Sequence, residues 1–335
     1  MRFYEFSTGF GLDQLQLRER ESLTPGPGQV IVKVHACSLN YRDLLVAQGA
    51  YGRGIPAPRI PLSDGAGEVI AAGPGVTRVK PGDRVAGIFM QGWISGDVDD
   101  AKFATAMGGA IDGMLAEEVC LHEEGLVKIP EHLSYEEAAA LPCAAVTAWN
   151  ALFVSGQLQP GETVLVQGTG GVSIFALQFA KLAGARVFAT SSSNAKIEHL
   201  KALGAGAVVN YKDVPAWDKV ARDWTNGTGV DHVVEVGGAG TLGTSIKAIR
   251  RAGHIALIGV LTGGEIDPRP LLIKSVRLQG IYVGSRDMFE AMNRAISAAR
   301  LRPVIDRVFP FEEARAAMEY MLSGAHFGKV IIRVS

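Results

Sequence analysis

The run Val164-Leu165-Val166-Gln167-Gly168-Thr169-Gly170-Gly171-Val172-Ser173 leads from an apolar stretch through a glycine-rich turn into a helical pattern. That succession of residue types suits the binding of a pyrophosphate. Gly168 permits the tight turn, and Gly170 lets backbone amides come close to phosphate oxygens. Thr169, Gly171 and Val172 complete the cradle, because the opening residues of a helix carry unpaired N–H groups and partial positive charge. Ser173 stands where a third glycine would allow close packing of helix on strand, and a serine is small enough for that place. The spacing predicts a dinucleotide ligand.

The end of the next strand reports which dinucleotide. An acid about 20 residues beyond the glycines would hold the ribose 2′-hydroxyl of NAD. Here Phe188-Ala189-Thr190-Ser191-Ser192-Ser193-Asn194-Ala195-Lys196 contains none. A carboxylate at that place would repel a 2′-phosphate by roughly 4 kcal/mol per charge pair at contact. Ser191 and Ser192 remove the repulsion, and Lys196 adds a cation able to pair with phosphate. The plainer alternative is a solvated serine cap beside a surface lysine. NADP(H) is favoured over NAD(H).

Positioning these residues requires alternating strands and helices, and the chain supplies them from about residue 126. Strands are predicted over 162–167, 186–190, 207–211, 231–236 and 254–260, with helices over 174–182, 195–203 and 242–251 between them. Short continuous Val/Ile/Ala runs are what strands covered on both faces require. The fold class is therefore α/β, a doubly wound parallel sheet of the Rossmann kind. Residues 1–125 read differently, as strands such as Gln29 to Ala36 and Ala66 to Ala71 separated by Gly/Pro turns. The segment 288–335 carries two helices and the closing strand 328–334.

Composition excludes several classes. The chain has 335 residues, a net charge of −1 and interspersed charges, with no basic arm for nucleic acid. The longest weakly apolar stretch, 138–154, is broken by Pro142, Thr147 and Asn150 and reads as buried helix rather than a membrane span. Three widely spaced cysteines, Cys37, Cys120 and Cys143, argue against a disulfide framework and for a reducing, cytoplasmic setting.

The order of motifs resembles the medium-chain dehydrogenase/reductase superfamily over essentially the whole chain, and within it the zinc-free quinone oxidoreductase and enone reductase branch. The resemblance rests on Asn40-Tyr41-Arg42-Asp43, Gly65-Ala66-Gly67-Glu68-Val69, Pro81-Gly82-Asp83-Arg84-Val85, Gly168 to Ser173, and Phe327-Gly328-Lys329-Val330. It implies a GroES-like catalytic domain over 1–125 and 288–335 and a Rossmann dinucleotide-binding domain over 126–287. Zinc-dependent members bind their catalytic metal through Cys, His and Cys, and these positions fall on Asn40, Ser63 and Cys143. Only Cys143 keeps a zinc-binding side chain, and neutral oxygen donors do not replace thiolate and imidazole around zinc. Residues 90–115, where a structural zinc lobe would lie, hold no cysteine. A makeshift site from His35, His122 and Cys143 is the weak alternative. No zinc is expected.

For the substrate, the resemblance points to Asn40, Tyr51 and Tyr41 as polar groups. Each has a structural alternative: a turn-capping Asn, a loop tyrosine and a packing tyrosine. Ser63 and Asp64 would line or orient the site, and Cys143 would pack. Tyr211 resembles a tyrosine that flanks the 2′-phosphate, and Val260 would lie near the nicotinamide. Phe89, Trp93 and Phe309 line an apolar cavity or belong to plain core, and 92–113 is a lid or a loop. The implied activity is hydride transfer from NADPH to a quinone or α,β-unsaturated carbonyl. Alternatives are an alcohol or aldehyde dehydrogenase of the same superfamily and an NADPH-binding sensor without turnover. The partner is a small electrophile, not nucleic acid or membrane. Relatives pair Rossmann sheets through the last strand, here 276–283, which implies a homodimer.

Overall fold

The computed structural model describes residues 1–335 except 8 and 52–56. The described residues divide into two compact units, Met1–Val146 with Gly284–Ser335, and Thr147–Val283.

The first unit is built on a seven-stranded sheet. Its path runs Ile305–Pro310, Lys329–Arg333, Gln29–Ser38, Asp64–Ala72, Arg84–Gly87, Leu126–Lys128, and Glu118–His122 pairs with Gln29–Ser38 off that path. The β-branched run Val30, Ile31, Val32, Val34 is buried, as the middle strand of a sheet demands. Leu126–Lys128 completes this sheet by pairing with Arg84–Gly87, so the unit continues past residue 125 to Val146 and resumes at Gly284. The C-terminal strand Lys329–Arg333 lies antiparallel to Gln29–Ser38 with Ile331 opposite Ser38, and Leu39 N–H donates to the Val330 carbonyl at 3.0 Å. That register brings the end of the chain beside residues 39–43.

Phe309 packs in this unit's core with Val30, Leu44, Leu62, Met114 and Val330. Its reading as a cavity wall gives way to the core reading. Trp93 is buried too, and its indole N–H donates to the Gly96 carbonyl at 2.8 Å. The strand pattern of residues 1–125 is interrupted by one helix that matters, Tyr41–Ala47, which follows the central strand after a two-residue link.

The second unit is a six-stranded, wholly parallel sheet. Its order is Ala207–Asn210, Arg186–Ser191, Thr163–Gln167, Val230–Glu235, Ile249–Leu257, Arg277–Gly280. The strand order reverses between Thr163–Gln167 and Val230–Glu235, the switch point where such sheets take ligands. All five residues of Thr163–Gln167 are buried. Helices Gly171–Leu182, Asn194–Ala202, Trp217–Trp224 and Ala239–Ala248 link the strands.

Three elements differ most from the sequence reading, the first being the strand expected over 254–260, which spans Ile249–Leu257 and leaves Val260 beyond its end. The helix expected to reach Arg251 stops at Ala248, because Ile249 already pairs with Val230. A bulge with Ala252 at φ 54 then carries the strand to His254 opposite His232, and Arg-Arg-Ala-Gly shows no strand pattern in sequence. The last strand shrinks from 276–283 to Arg277–Gly280. Among the described residues no helix is long and apolar enough to cross a membrane.

Candidate cofactor and substrate sites

The glycine turn lies at the carboxyl end of the strand Thr163–Gln167. Gly168 holds φ 69, a left-handed conformation that favours glycine, and its N–H donates to the Thr190 carbonyl of the next strand at 2.9 Å. Gly170 caps the helix Gly171–Leu182 with extended backbone, and Ile174 N–H closes the first helical bond onto its carbonyl at 3.0 Å. The amides of Gly171, Val172 and Ser173 thus precede any intrahelical acceptor. A Cβ placed on Gly168 or Gly170 would meet nothing within 4 Å. Open space beside a helix N-terminus fits a pyrophosphate, so the residues present suit a dinucleotide. Thr169 is buried within the turn.

Ser173 does more than fit. Its Oγ donates to the Gln167 carbonyl at 2.6 Å and so ties the helix back onto its strand. Sequence spacing had given it only the merit of being small.

The strand ends beside the turn gather the other cofactor candidates. Ser191 is buried, and its Oγ accepts from Ser193 N–H at 3.2 Å. Tyr211, 40% exposed, follows the neighbouring strand, and its N–H donates to the Ser191 carbonyl at 3.0 Å. Ser192 is half-buried, as is Lys196 in the first turn of the helix Asn194–Ala202. Val260 lies three residues beyond its strand and is 72% exposed.

One feature of this edge was not read from the sequence. Glu235, fully buried at the end of Val230–Glu235, is surrounded by donors. Its Oε1 accepts from Gly237 N–H, Gly238 N–H and Thr241 Oγ1, at 2.8, 3.2 and 2.5 Å. Its Oε2 accepts from Gln167 Nε2 at 2.7 Å and Ser245 Oγ at 2.5 Å. Gln167 is the residue before Gly168, so the network joins the two strands at the switch point. An acid closing an apolar strand was the available signal.

The first unit holds a second polar cluster. Asn40 is the N-cap residue of Tyr41–Ala47 and forms a capping box with Asp43, whose Oδ2 accepts from Asn40 N–H at 2.8 Å. Asn40 Oδ1 accepts from Lys329 Nζ at 2.6 Å, and the same ammonium donates to the Leu39 carbonyl at 2.6 Å. Asp64 Oδ1 accepts from Ser63 Oγ at 2.7 Å and its Oδ2 from Cys143 N–H at 3.0 Å. Arg42 pairs with Asp43 at 3.1 Å and lies 4.6 Å from the Tyr51 ring centroid and 5.1 Å from that of Phe89. Asn40, Tyr51, Ser63, Asp64 and Cys143 are therefore assembled in one place. Tyr41, at the helix start, is 47% exposed. Arg42, Asp43 and Lys329 stand in the motifs that carry the resemblance but had no role at the site in the sequence reading, although a lysine opening the buried strand Lys329–Arg333 is itself a signal.

Burial governs the ionisation of this cluster. It raises Asp43 to about 6 in spite of Arg42 alongside, and raises Asp64 in spite of Lys329 and the hydroxyl of Ser63. Burial also lifts the Tyr51 hydroxyl, Arg42 opposing, and pulls the Lys329 ammonium down, Asp64 opposing. The Cys143 thiol is pushed far up by burial and by Asp64.

These side chains do not suit zinc. Asn40 gives its oxygen to an ammonium and Ser63 gives its hydrogen to Asp64, and neither neutral oxygen replaces a thiolate or an imidazole around zinc. Among the described residues no three His, Cys, Asp or Glu side chains are grouped to hold a metal ion. His35 meanwhile stacks on Tyr135 at 4.3 Å between centroids, and His122 caps a short turn through Glu124 N–H.

Comparison with known proteins covers both units. Residues 26–131 match the alcohol dehydrogenase GroES-like domain, and residues 171–298 the family described as zinc-binding dehydrogenase. The chain is 44% identical to a zinc-type alcohol dehydrogenase-like protein of Schizosaccharomyces pombe, over 97% of this chain and 96% of that one. A quinone oxidoreductase of Rattus norvegicus is 29% identical over 99% and 96% of the two chains. A crystal structure described as an NAD-dependent alcohol dehydrogenase superposes with a TM-score of 0.92 at 34% identity, covering 100% of both.

Proposed function

The chain belongs to the medium-chain dehydrogenase/reductase superfamily, an oxidoreductase of GroES-like and Rossmann domains that uses a nicotinamide cofactor, and on that footing we propose that it is an NADPH-dependent reductase of quinones or α,β-unsaturated carbonyls that works without zinc. The observation that carries this reading is the bonding of Asn40 and Ser63, whose side-chain oxygens serve Lys329 and Asp64 and are neutral donors unsuited to zinc.

On this reading no metal ion is at hand to lower the pKa of a bound alcohol, so oxidation of alcohols is not favoured. An acceptor that is already electrophilic needs less help. When bound, reduced nicotinamide would supply a hydride with its electron pair to the acceptor carbon, and negative charge would collect on the acceptor's carbonyl oxygen. The residues of this chain then have two tasks. Asn40 donates from its amide to the oxygen on which charge develops. The Tyr51 hydroxyl, whose pKa burial raises and Arg42 lowers, delivers a proton to the quinolate or enolate and leaves its phenolate beside the Arg42 guanidinium.

On the cofactor side, backbone amides of the Gly168–Ser173 turn take the pyrophosphate, with Ser191, Ser192, Lys196 and Tyr211 around a 2′-phosphate and Val260 toward the nicotinamide. We read the molecule as a cytoplasmic homodimer, its free cysteines matching a reducing compartment. The short strand Arg277–Gly280 and the exposed Leu272 and Ile273 of the preceding helix offer the pairing edge.

The test is NADPH consumption across quinones, enones, aldehydes and alcohols, with and without a chelator, alongside elemental analysis. Turnover confined to quinones or enones and indifferent to chelator is expected. Stoichiometric zinc with chelator-sensitive alcohol oxidation would replace this reading with an alcohol dehydrogenase. Tight NADPH binding with no turnover would replace it with a sensor.

A further inference from the structure

Lys329 is 3% exposed and comes from the far end of the chain. Its place is over-determined: Gly328 before it adopts φ 84, where a Cβ would lie 2.4 Å from the Val304 carbonyl oxygen, and Val330 after it accepts from Leu39 N–H. A buried ammonium is costly to keep, and here the compensation is spread over two carbonyl-type oxygens and two carboxylates, Asp64 and Asp43. Arg42 already pairs with Asp43, which leaves Lys329 and Asp64 to balance each other.

The consequence for Asn40 is specific. An ammonium only donates, so the amide atom it touches is the oxygen, and Nδ2 is fixed at the other end. Nδ2 is buried beside Asp64 and favours its carboxylate as a hydrogen-bond donor, and of its two N–H groups this engages one. A charge-assisted bond to Oδ1 draws electron density toward the ammonium and makes the Nδ2–H groups better donors. We propose that Lys329 is a positioning residue of the reaction, which orients and polarises the Asn40 amide so that Nδ2 donates to the substrate oxygen. The assignment rests on the reading of Asn40 as that donor, and it gives this site an organic cation where metal-dependent relatives keep zinc.

Because Lys329 acts through Asn40, the two should not contribute independently. The experiment is a double-mutant cycle on kcat and KM for 1,4-benzoquinone and but-3-en-2-one, with NADPH affinity followed by fluorescence. Asn40→Ala is expected to lower kcat about 100-fold. Lys329→Met is expected to lower it about tenfold with NADPH affinity unchanged, and the double variant to be no slower than Asn40→Ala alone. Losses that multiply, or an undiminished kcat in Lys329→Met, would overturn the role of Lys329 while leaving the reductase reading intact. Absence of wild-type turnover with any acceptor would instead overturn the reductase reading and this role with it. Should the Met variant fail to fold, Lys329→Gln keeps a neutral donor to Oδ1: a loss of several-fold in kcat, absent in the Asn40→Ala background, supports the proposal, and no loss refutes it.

Discussion

Gln167 and Glu235, each the last residue of its strand, are joined at 2.7 Å across the point where the sheet reverses its order. The same glutamate collects Ser245, Thr241 and two backbone amides, while Gln167 Oε1 accepts from Val236 N–H at 3.2 Å. Removing the acceptor leaves several buried donors facing one another. Glu235→Ala should therefore lower unfolding stability by about 3–5 kcal/mol, the range for stripping a buried charged acceptor from its partners. Glu235→Gln, which turns one oxygen into a donor among donors, should cost less but more than about 1 kcal/mol. Urea unfolding followed by circular dichroism reads both, and an alanine variant within about 1 kcal/mol of wild type would refute the role given to this network.

How much of this was legible in the sequence depends on the range over which each feature is specified. The glycine turn is local: strand, Gly168, Gly170 and helix follow one another, and the chain folds as that order says. The doubly wound sheet follows from repeated apolar runs, each able to form only a covered strand. The Glu235 network is different, since its donors come from residues 167 to 245 and are collected by strand adjacency. Lys329 is more remote still, 289 residues from the amide it holds. No spacing rule reaches that far, and only the register of Lys329–Arg333 against Gln29–Ser38 makes the contact. The bulge at Ala252 was hidden for another reason: a polar, glycine-containing stretch departs from strand patterning just where it departs from regular pairing.

Gly170 offers a direct test of the pyrophosphate cradle. Its φ of −75 and ψ of 173 are open to any residue, and an added Cβ meets nothing within 4 Å. Gly170→Val should fold with a stability change under about 1 kcal/mol, yet fill the space through which phosphate reaches the amides. NADPH affinity, measured by quenching of protein fluorescence, should fall at least about 30-fold on the same reasoning. Unchanged affinity in the folded variant would place the dinucleotide elsewhere.

Lys196 tests the choice of dinucleotide. It stands in the first turn of the helix that begins after Ser193, beside the end of the Ser191 strand. A lysine that pairs with a 2′-phosphate acts on NADPH and not on NADH. Lys196→Ala should raise the KM for NADPH by about 10- to 100-fold, the worth of one charge-assisted contact, and leave that for NADH within about twofold. Equal effects on the two coenzymes would show that the lysine does not read the phosphate.

Stability toward acid should depend on His254. Its ring is buried between His232 on one neighbouring strand and Arg277 on the other, and its Nε2 meets Ser155 Oγ at 2.9 Å. Burial first, then these two basic neighbours, lower its pKa to about 4, well under the ordinary histidine value. The unfolded chain therefore binds the proton before the folded one does. Stability from this group is fully present above about pH 6.5 and is lost progressively as the pH falls toward 4, with an upper bound of about 3 kcal/mol. Many carboxylates titrate over the same range, so the informative quantity is a difference. Comparing His254→Gln with wild type, the urea midpoint of wild type should fall further between pH 7 and 4.5, equivalent to about 2 kcal/mol. Parallel pH profiles for the two proteins would show that the imidazole takes up its proton in the folded chain as readily as in the unfolded one.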